Sequence, residues 1–170
     1  MRPLRFLLRD LPIALTLAFF LLAFSANVAA ANDLPSDVCS LLSQQQLQKT
    51  LGAPFGAPQK ATAPSPYSGL NSGTNCHFNG QKSGSQEVIF IVYVDRSPEE
   101  AKQTFEKLSA WYPAISKPTG IGDSAYIDKS HAIHVLKGSV RYFINVSAGG
   151  SDAAMDKQVQ DLAASVAAQI

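Results

Sequence analysis

The stretch that most constrains the fold of this chain runs from Gly120 to Ser147. It reads Gly-Ile-Gly-Asp-Ser-Ala-Tyr-Ile, then His-Ala-Ile-His-Val-Leu, then Val-Arg-Tyr-Phe-Ile-Asn-Val-Ser. In the last segment Val140, Tyr142, Ile144 and Val146 alternate with Arg141, Phe143, Asn145 and Ser147. A period of two belongs to a strand with one buried face, so the stretch predicts three consecutive antiparallel strands. Lys137-Gly138-Ser139 makes the last connection, with Gly138 free to take a positive φ in a short hairpin. An apolar sheet face must be covered, and the remaining segments supply the cover.

At the amino terminus Arg2, Arg5 and Arg9 precede an apolar run from Leu11 to Phe24, and the small residues Ala29, Ala30 and Ala31 follow. This is the order of a secretory signal peptide, with cleavage after Ala30 or Ala31. The run is short for a bilayer span, which needs about 20 residues. Retention as an uncleaved anchor is the alternative. No cysteine stands at the cleavage site, which argues against lipid anchoring. The expected organisation is therefore a signal peptide over 1–31 and a single domain over 32–170. Removing 1–31 takes away three arginines and Asp10, leaving 11 basic and 12 acidic side chains and a formal charge of −1. A nucleic-acid partner calls for a basic face, so none is expected.

Both cysteines, Cys39 and Cys76, lie in the exported part. An even count in an oxidising compartment reads as one disulfide. A metal pair or a redox couple would be the alternative, but no Cys-x-x-Cys spacing supports either. Closing about 37 residues is worth roughly 4 kcal/mol on the chain-entropy estimate.

Residues 36–52 predict helix, either in two pieces or with a joint at Ser43, because Ser43 and Gln46 fit a capping box and Gly52 with Pro54 is a stop. Residues 53–75 read as a long loop rich in Pro and Gly, with Tyr67 and Leu70 as the sizeable apolar groups of its second half. Cys76-His-Phe predicts a short strand. Val88 to Val94 is apolar without interruption and predicts a central strand covered on both faces. Ser97-Pro-Glu-Glu opens the best-signalled helix, with Ser97 as N-cap, Glu100 completing a capping box, and a buried stripe of Ala101, Phe105, Leu108 and Trp111 or Tyr112. Pro113 ends it, and residues 114–119 cross to the meander. Met155, Val159, Leu162, Val166 and Ile170 mark a last helix over 152–170. The order is αββαβββα. It predicts an α+β fold: an antiparallel sheet of about five strands with helices mainly on one face.

Catalytic spacing is hard to find. His131 and His134 would share a metal on a helix, but odd spacing in a strand sends them to opposite faces, so no metal site is expected. No Gly-x-Ser-x-Gly elbow occurs. Gly120-Ile-Gly-Asp123 precedes a strand rather than a helix, so it reads as a tight turn with Asp123 bonded to the backbone, not a phosphate cradle. Asn145-Val-Ser is a formal glycosylation sequon in mid-strand and carries no weight.

Taken together, Cys39-Ser-Leu-Leu-Ser, Leu51-Gly52, Cys76-His-Phe, Ala101 with Phe105, and Gly120-Ile-Gly-Asp-Ser-Ala125-Tyr carry a resemblance. Across most of residues 36–168 the chain resembles a broad group of small exported bacterial domains of unknown function. These are abundant in actinobacteria, often as lipoproteins, and are similar to the extracellular sensor domains of some bacterial Ser/Thr kinases. The resemblance implies a disulfide-bridged α+β domain, PsbP-like, without established activity. The chain departs from many members in lacking the lipobox cysteine, which favours a soluble form.

The expectation is therefore a monomeric periplasmic or secreted binding or interaction module of the bacterial envelope. It is not read as an enzyme, needs no cofactor, and has no membrane contact after signal cleavage. Its partner would be a small molecule, a lipid or a protein. The rival classes are a hydrolase whose site assembles only in three dimensions and a purely structural envelope protein. A ligand is expected in the groove between the 53–75 loop and the sheet, beside the disulfide. Tyr67 and Leu70 would make apolar contacts there, with His134 or Arg141 as polar partners.

Overall fold

The computed structural model describes residues 34–64, 72–81, 86–147 and 151–170. The segment expected to be a signal peptide, Tyr67 and Leu70 lie outside the described residues.

Chain order begins with a short 3-10 turn, Val38–Leu41, and helix α1, Gln44–Leu51. The joint falls at Ser43, where the capping box closes in both directions: Gln46 N–H donates to Ser43 Oγ, and Ser43 N–H to Gln46 Oε1. Gly52 ends α1 in the left-handed region at φ 73°, the conformation a glycine adopts most freely. Strands β1 (Gln59–Ala63), β2 (Gly73–Asn79) and β3 (Glu87–Val94) follow, then helix α2 (Pro98–Trp111) and strands β4 (Ala114–Ser116), β5 (Ser124–Asp128), β6 (Ile133–Lys137) and β7 (Val140–Ser147). Helix α3, Asp152–Ala167, comes last.

All seven strands form one antiparallel sheet in the order β1-β2-β3-β7-β6-β5-β4. Five strands were expected; the two extra ones are the edges. β1 lies inside the segment read as loop, because Gln-Lys-Ala-Thr-Ala has no apolar alternation. Four of its five residues are exposed, and it is held by its backbone ladder to β2. β4 is three residues long and bulged, too short to show a period. β3 was read as central, but β7 takes the middle position. Along β3 the residues Val88, Phe90 and Val92 are buried while Ile89, Ile91 and Tyr93 are half-buried, so one of its faces stays partly open.

The predicted alternation of β7 holds: Val140, Tyr142, Ile144 and Val146 enter the main core. That core joins one sheet face to Leu41 and Leu42, to Leu47 and Leu51 of α1, and to Val159, Leu162 and Val166 of α3. Tyr142 ties the layers together by donating its hydroxyl to Ala163 O at 2.7 Å, and burial raises the pKa of that phenol. The Cys39–Cys76 disulfide lies in this same core, with Cα atoms 5.6 Å apart.

The expected concentration of helices on one face holds for α1 and α3 and fails for α2. Ala101 and Phe105 of α2 pack on Tyr126 and Leu136, which point to the other side of the sheet. An amphipathic stripe says that a helix lies on a sheet but not on which face. Ser97 caps α2 as expected, yet the capping box stays open: Glu100 accepts from Arg96 N–H at 3.0 Å and from the Arg96 guanidinium instead. Trp111 and Tyr112 do not extend the buried stripe; they are 66% and 45% exposed.

The Gly120–Asp123 turn behaves as read. Gly122 has φ 61°, and a Cβ there would come within 2.5 Å of Leu136 O, so only glycine fits. Asp123 Oδ2 accepts from the backbone N–H of Gly138 at 2.7 Å, fastening this turn to the β6–β7 hairpin.

Candidate functional site

The two faces of the sheet separate the residues that sequence reasoning had grouped. Cys76 pairs with Phe90 and both point into the main core, whereas His134 and Arg141 point to the α2 side. The expected groove beside the disulfide therefore cannot use His134 or Arg141, because the sheet lies between them. Odd and even positions of a strand face opposite ways, and Arg141 sits one residue from the core residue Tyr142.

On the α2 side, His134 is the centre of an aromatic column. Its imidazole stacks on Tyr126 at 4.5 Å with planes 10° apart and on Tyr112 at 5.7 Å, and Phe143 meets it edge-on at 5.0 Å. Cross-strand pairing puts Tyr126 and Phe143 on either side of His134, and α2 delivers Tyr112 from above. Such ring contacts add about 0.5–1.5 kcal/mol each beyond burial.

His134 Nε2–H donates to Asp128 Oδ2 at 2.8 Å. The other oxygen, Oδ1, accepts from Ser130 Oγ at 2.6 Å, Ser130 N–H at 2.8 Å and Ala132 N–H at 3.3 Å. Burial alone would raise the pKa of Asp128. The hydrogen bonds from His134 and Ser130 outweigh that and bring it down to about 2. Asp128 thus carries its charge at neutral pH while 3% exposed.

Between this column, the carboxy-terminal half of α2 and the open side of β3 runs a cleft of about 240 Å³. Ile91, Tyr93, Leu108, Tyr112, Phe143 and His134 line it, with Pro64, Asp128 and Ser130. Pro64 belongs to the segment expected to lie over the sheet, and its carbonyl accepts from Tyr93 Oη at 3.4 Å. Gly73 is needed close by: a Cβ there would sit 2.7 Å from the Tyr93 ring. Trp111, the single tryptophan, stands at the lip and shares a shallow outer hollow with Tyr112, Pro113 and Lys129.

Arg141 lies behind the cleft rather than in it. It makes a two-pronged ion pair with Asp95, Nε to Oδ2 at 2.5 Å and Nη2 to Oδ1 at 3.1 Å, both side chains essentially out of solvent. Its guanidinium also covers the Tyr93 ring at 4.9 Å. Its predicted role as a direct ligand contact thus gives way to that of a buried support. His131 belongs elsewhere: it takes φ 58° in the β5–β6 turn and bonds Asp156 of α3 at 2.7 Å. A second hollow, about 290 Å³, lies on the uncovered part of the sheet among Gln59, Lys60, Ala61 and Asn75. Its polar groups include His77 and Glu87, already paired with each other, and it has no aromatic wall.

Sequence reasoning found His134 but missed Tyr93, Tyr112, Asp128 and Phe143. Asp128-Lys-Ser130 carried a usable signal, because an Asp two residues before a Ser at a strand end is a turn pattern in which the carboxylate accepts backbone N–H groups. Asp128 is fixed there by its turn and only then reaches His134. The aromatic residues looked like ordinary strand and helix packing.

No protein-family model matches the chain, and no curated protein matches it.

Proposed function

We propose that the chain is an exported binding module, of the kind its resemblance to small exported bacterial domains suggests. It takes the apolar part of a small ligand in the cleft between α2 and the sheet. The aromatic lining of that cleft by Tyr93, Tyr112, His134 and Phe143 carries the reading. Apolar walls with a few fixed polar groups are the usual composition of a small-molecule site, and about 240 Å³ suits a compact group. Export is supported by the Cys39–Cys76 disulfide and the amino-terminal sequence. Among the described residues no helix is long and apolar enough to cross a membrane.

Binding rather than catalysis is favoured by the way Ser130 is held. A serine nucleophile needs a base to take its proton, and this hydroxyl hydrogen-bonds to Asp128 while the imidazole Nε2 is committed to the same carboxylate. A fluorophosphonate probe should leave the protein unlabelled; stoichiometric labelling of Ser130 would overturn the preference. The site itself is tested by a thermal-shift screen of lipids, peptides and glycans against the protein and its Tyr112→Ala variant. Hits should stabilise the parent and not the variant. Equal shifts in both would remove the ligand from this cleft.

A further inference from the structure

Resting on that reading, we infer that the group held in the cleft is a quaternary ammonium, carried on a small choline-like molecule. Three observations converge on it.

The walls offer π faces in number. Tyr93, Tyr112 and Phe143 line the cleft, and aromatic faces attract a cation through the ring quadrupole. The His134 ring also lines it but is already stacked on Tyr126 and Tyr112 and is not one of those faces. Tyr93 already holds one cation this way, since the Arg141 guanidinium lies 4.9 Å from its ring centroid. The Asp95 carboxylate compensates that arginine by a two-pronged bond, so the pair adds no net positive charge behind the wall.

The cleft also contains one fixed negative charge. Asp128 lines it, is buried, and is held by groups that favour the carboxylate form. A cation entering the cleft meets that charge beside apolar walls, which screen it less than bulk water does.

The third observation selects the kind of cation. Asp128 Oδ1 already accepts three hydrogen bonds, and Oδ2 is taken by His134. A primary ammonium such as a lysine side chain brings three N–H donors that need acceptors. Beyond Asp128 the lining offers the Pro64 carbonyl and the Ser130 hydroxyl, both already hydrogen-bonded, and the hydroxyls of Tyr93 and Tyr112. Any donor turned toward Leu108, Ile91 and Phe143 would go unmet, and each buried unmet donor is costly. A quaternary ammonium has no N–H group. It asks only for charge and apolar contact, which are what the cleft supplies.

The experiment titrates the mature protein with choline, with its neutral carbon isostere 3,3-dimethyl-1-butanol, and with ethanolamine. Trp111 emission and calorimetry provide the readouts. Choline should bind at least tenfold more tightly than either analogue. The Tyr112→Leu variant, which keeps an apolar side chain at a half-exposed position, should lose at least fivefold in choline affinity while its melting temperature falls by no more than about 5 °C, the cost of the lost ring contact with His134. Equal binding of choline and the neutral isostere would overturn the inference while leaving the cleft a ligand site. Tighter binding of ethanolamine would overturn it in favour of a donor-bearing amine. Absence of choline binding, with screen hits still lost in Tyr112→Ala, would overturn the inference alone; loss of both would remove the site.

Discussion

The two faces of the sheet solve the same covering problem in opposite ways. On the α1/α3 face, strand residues from β2, β3, β5, β6 and β7 meet two helices and a disulfide, and the contacts are nearly all apolar. On the α2 face one helix covers part of the sheet, and the buried groups include Asp95, Asp128, His134 and Arg141. The first face supplies stability through burial. The second spends part of that stability on charged pairs, and the cleft lies beside them. The comparison teaches that function here is to be sought where the cover is incomplete, not where the chain is covalently tied.

The largest effect that could break this contrast concerns Arg141. Arg141→Met leaves Asp95 as a buried unpaired charge and should cost about 4 kcal/mol in urea unfolding, whereas Asp95→Leu with Arg141→Met together should recover most of the loss. If the double variant is no better than the single one, the pair stabilises more than an apolar replacement can. Next comes a matched truncation within one strand. Phe90→Ala on the closed face should cost about 4 kcal/mol and its neighbour Ile89→Ala about 1 kcal/mol, because Ile89 is only half-buried. Equal losses would mean that the two faces are equally covered.

Acid gives the third test. Asp128 has a folded-state pKa lowered to about 2, so its contribution is present above its unfolded pKa near 4 and is lost as pH falls toward 2. About 2 kcal/mol should disappear over that window, and the loss should shrink in Asp128→Asn, measured relative to that variant's own stability at neutral pH. The smallest effect belongs to His131. Its hydrogen bond to Asp156, aided by Asp152 and opposed by burial, raises its pKa in the folded state. The sign is opposite to that of Asp128: the contribution is full below about 6.5 and fades as pH rises through the folded-state value. Roughly 0.5 kcal/mol is expected, allowing for solvent screening. His131→Asn, which tolerates the same left-handed backbone, should flatten stability between pH 6 and 8 without changing it at acid pH below 4 by more than the lost ion pair.

Much of the scaffold was legible because its rules are local. Alternation along β7, the capping box at Ser43, the N-cap at Ser97 and the glycine turn before β5 each follow from neighbouring residues. The edges were not, since Gln59–Ala63 is a strand by virtue of pairing with β2 and has no signature of its own. The cleft was the least legible part. It depends on which face α2 chooses, and that choice brings Tyr112 onto His134 from 22 residues away. Trp111 and Tyr112 fit the helical stripe on paper, but α2 ends where the sheet cover ends, leaving both at the lip.

The strand order carries one more consequence, for the time course of folding. β1-β2-β3 and β4-β5-β6-β7 are each wound from neighbours in sequence, so each can form as local hairpins within microseconds. Among the described residues, the β3–β7 ladder is the one pairing of strands that are not successive, joining Glu87 to Ser147 and Val94 to Val140. Zipping it requires closure of the whole α2-to-β6 segment before any contact rewards the lost chain entropy. Collapse of the two meanders along this seam is thus the step expected to set the folding rate. Both helical layers become useful at that moment, because α2 and α3 each bridge onto β7.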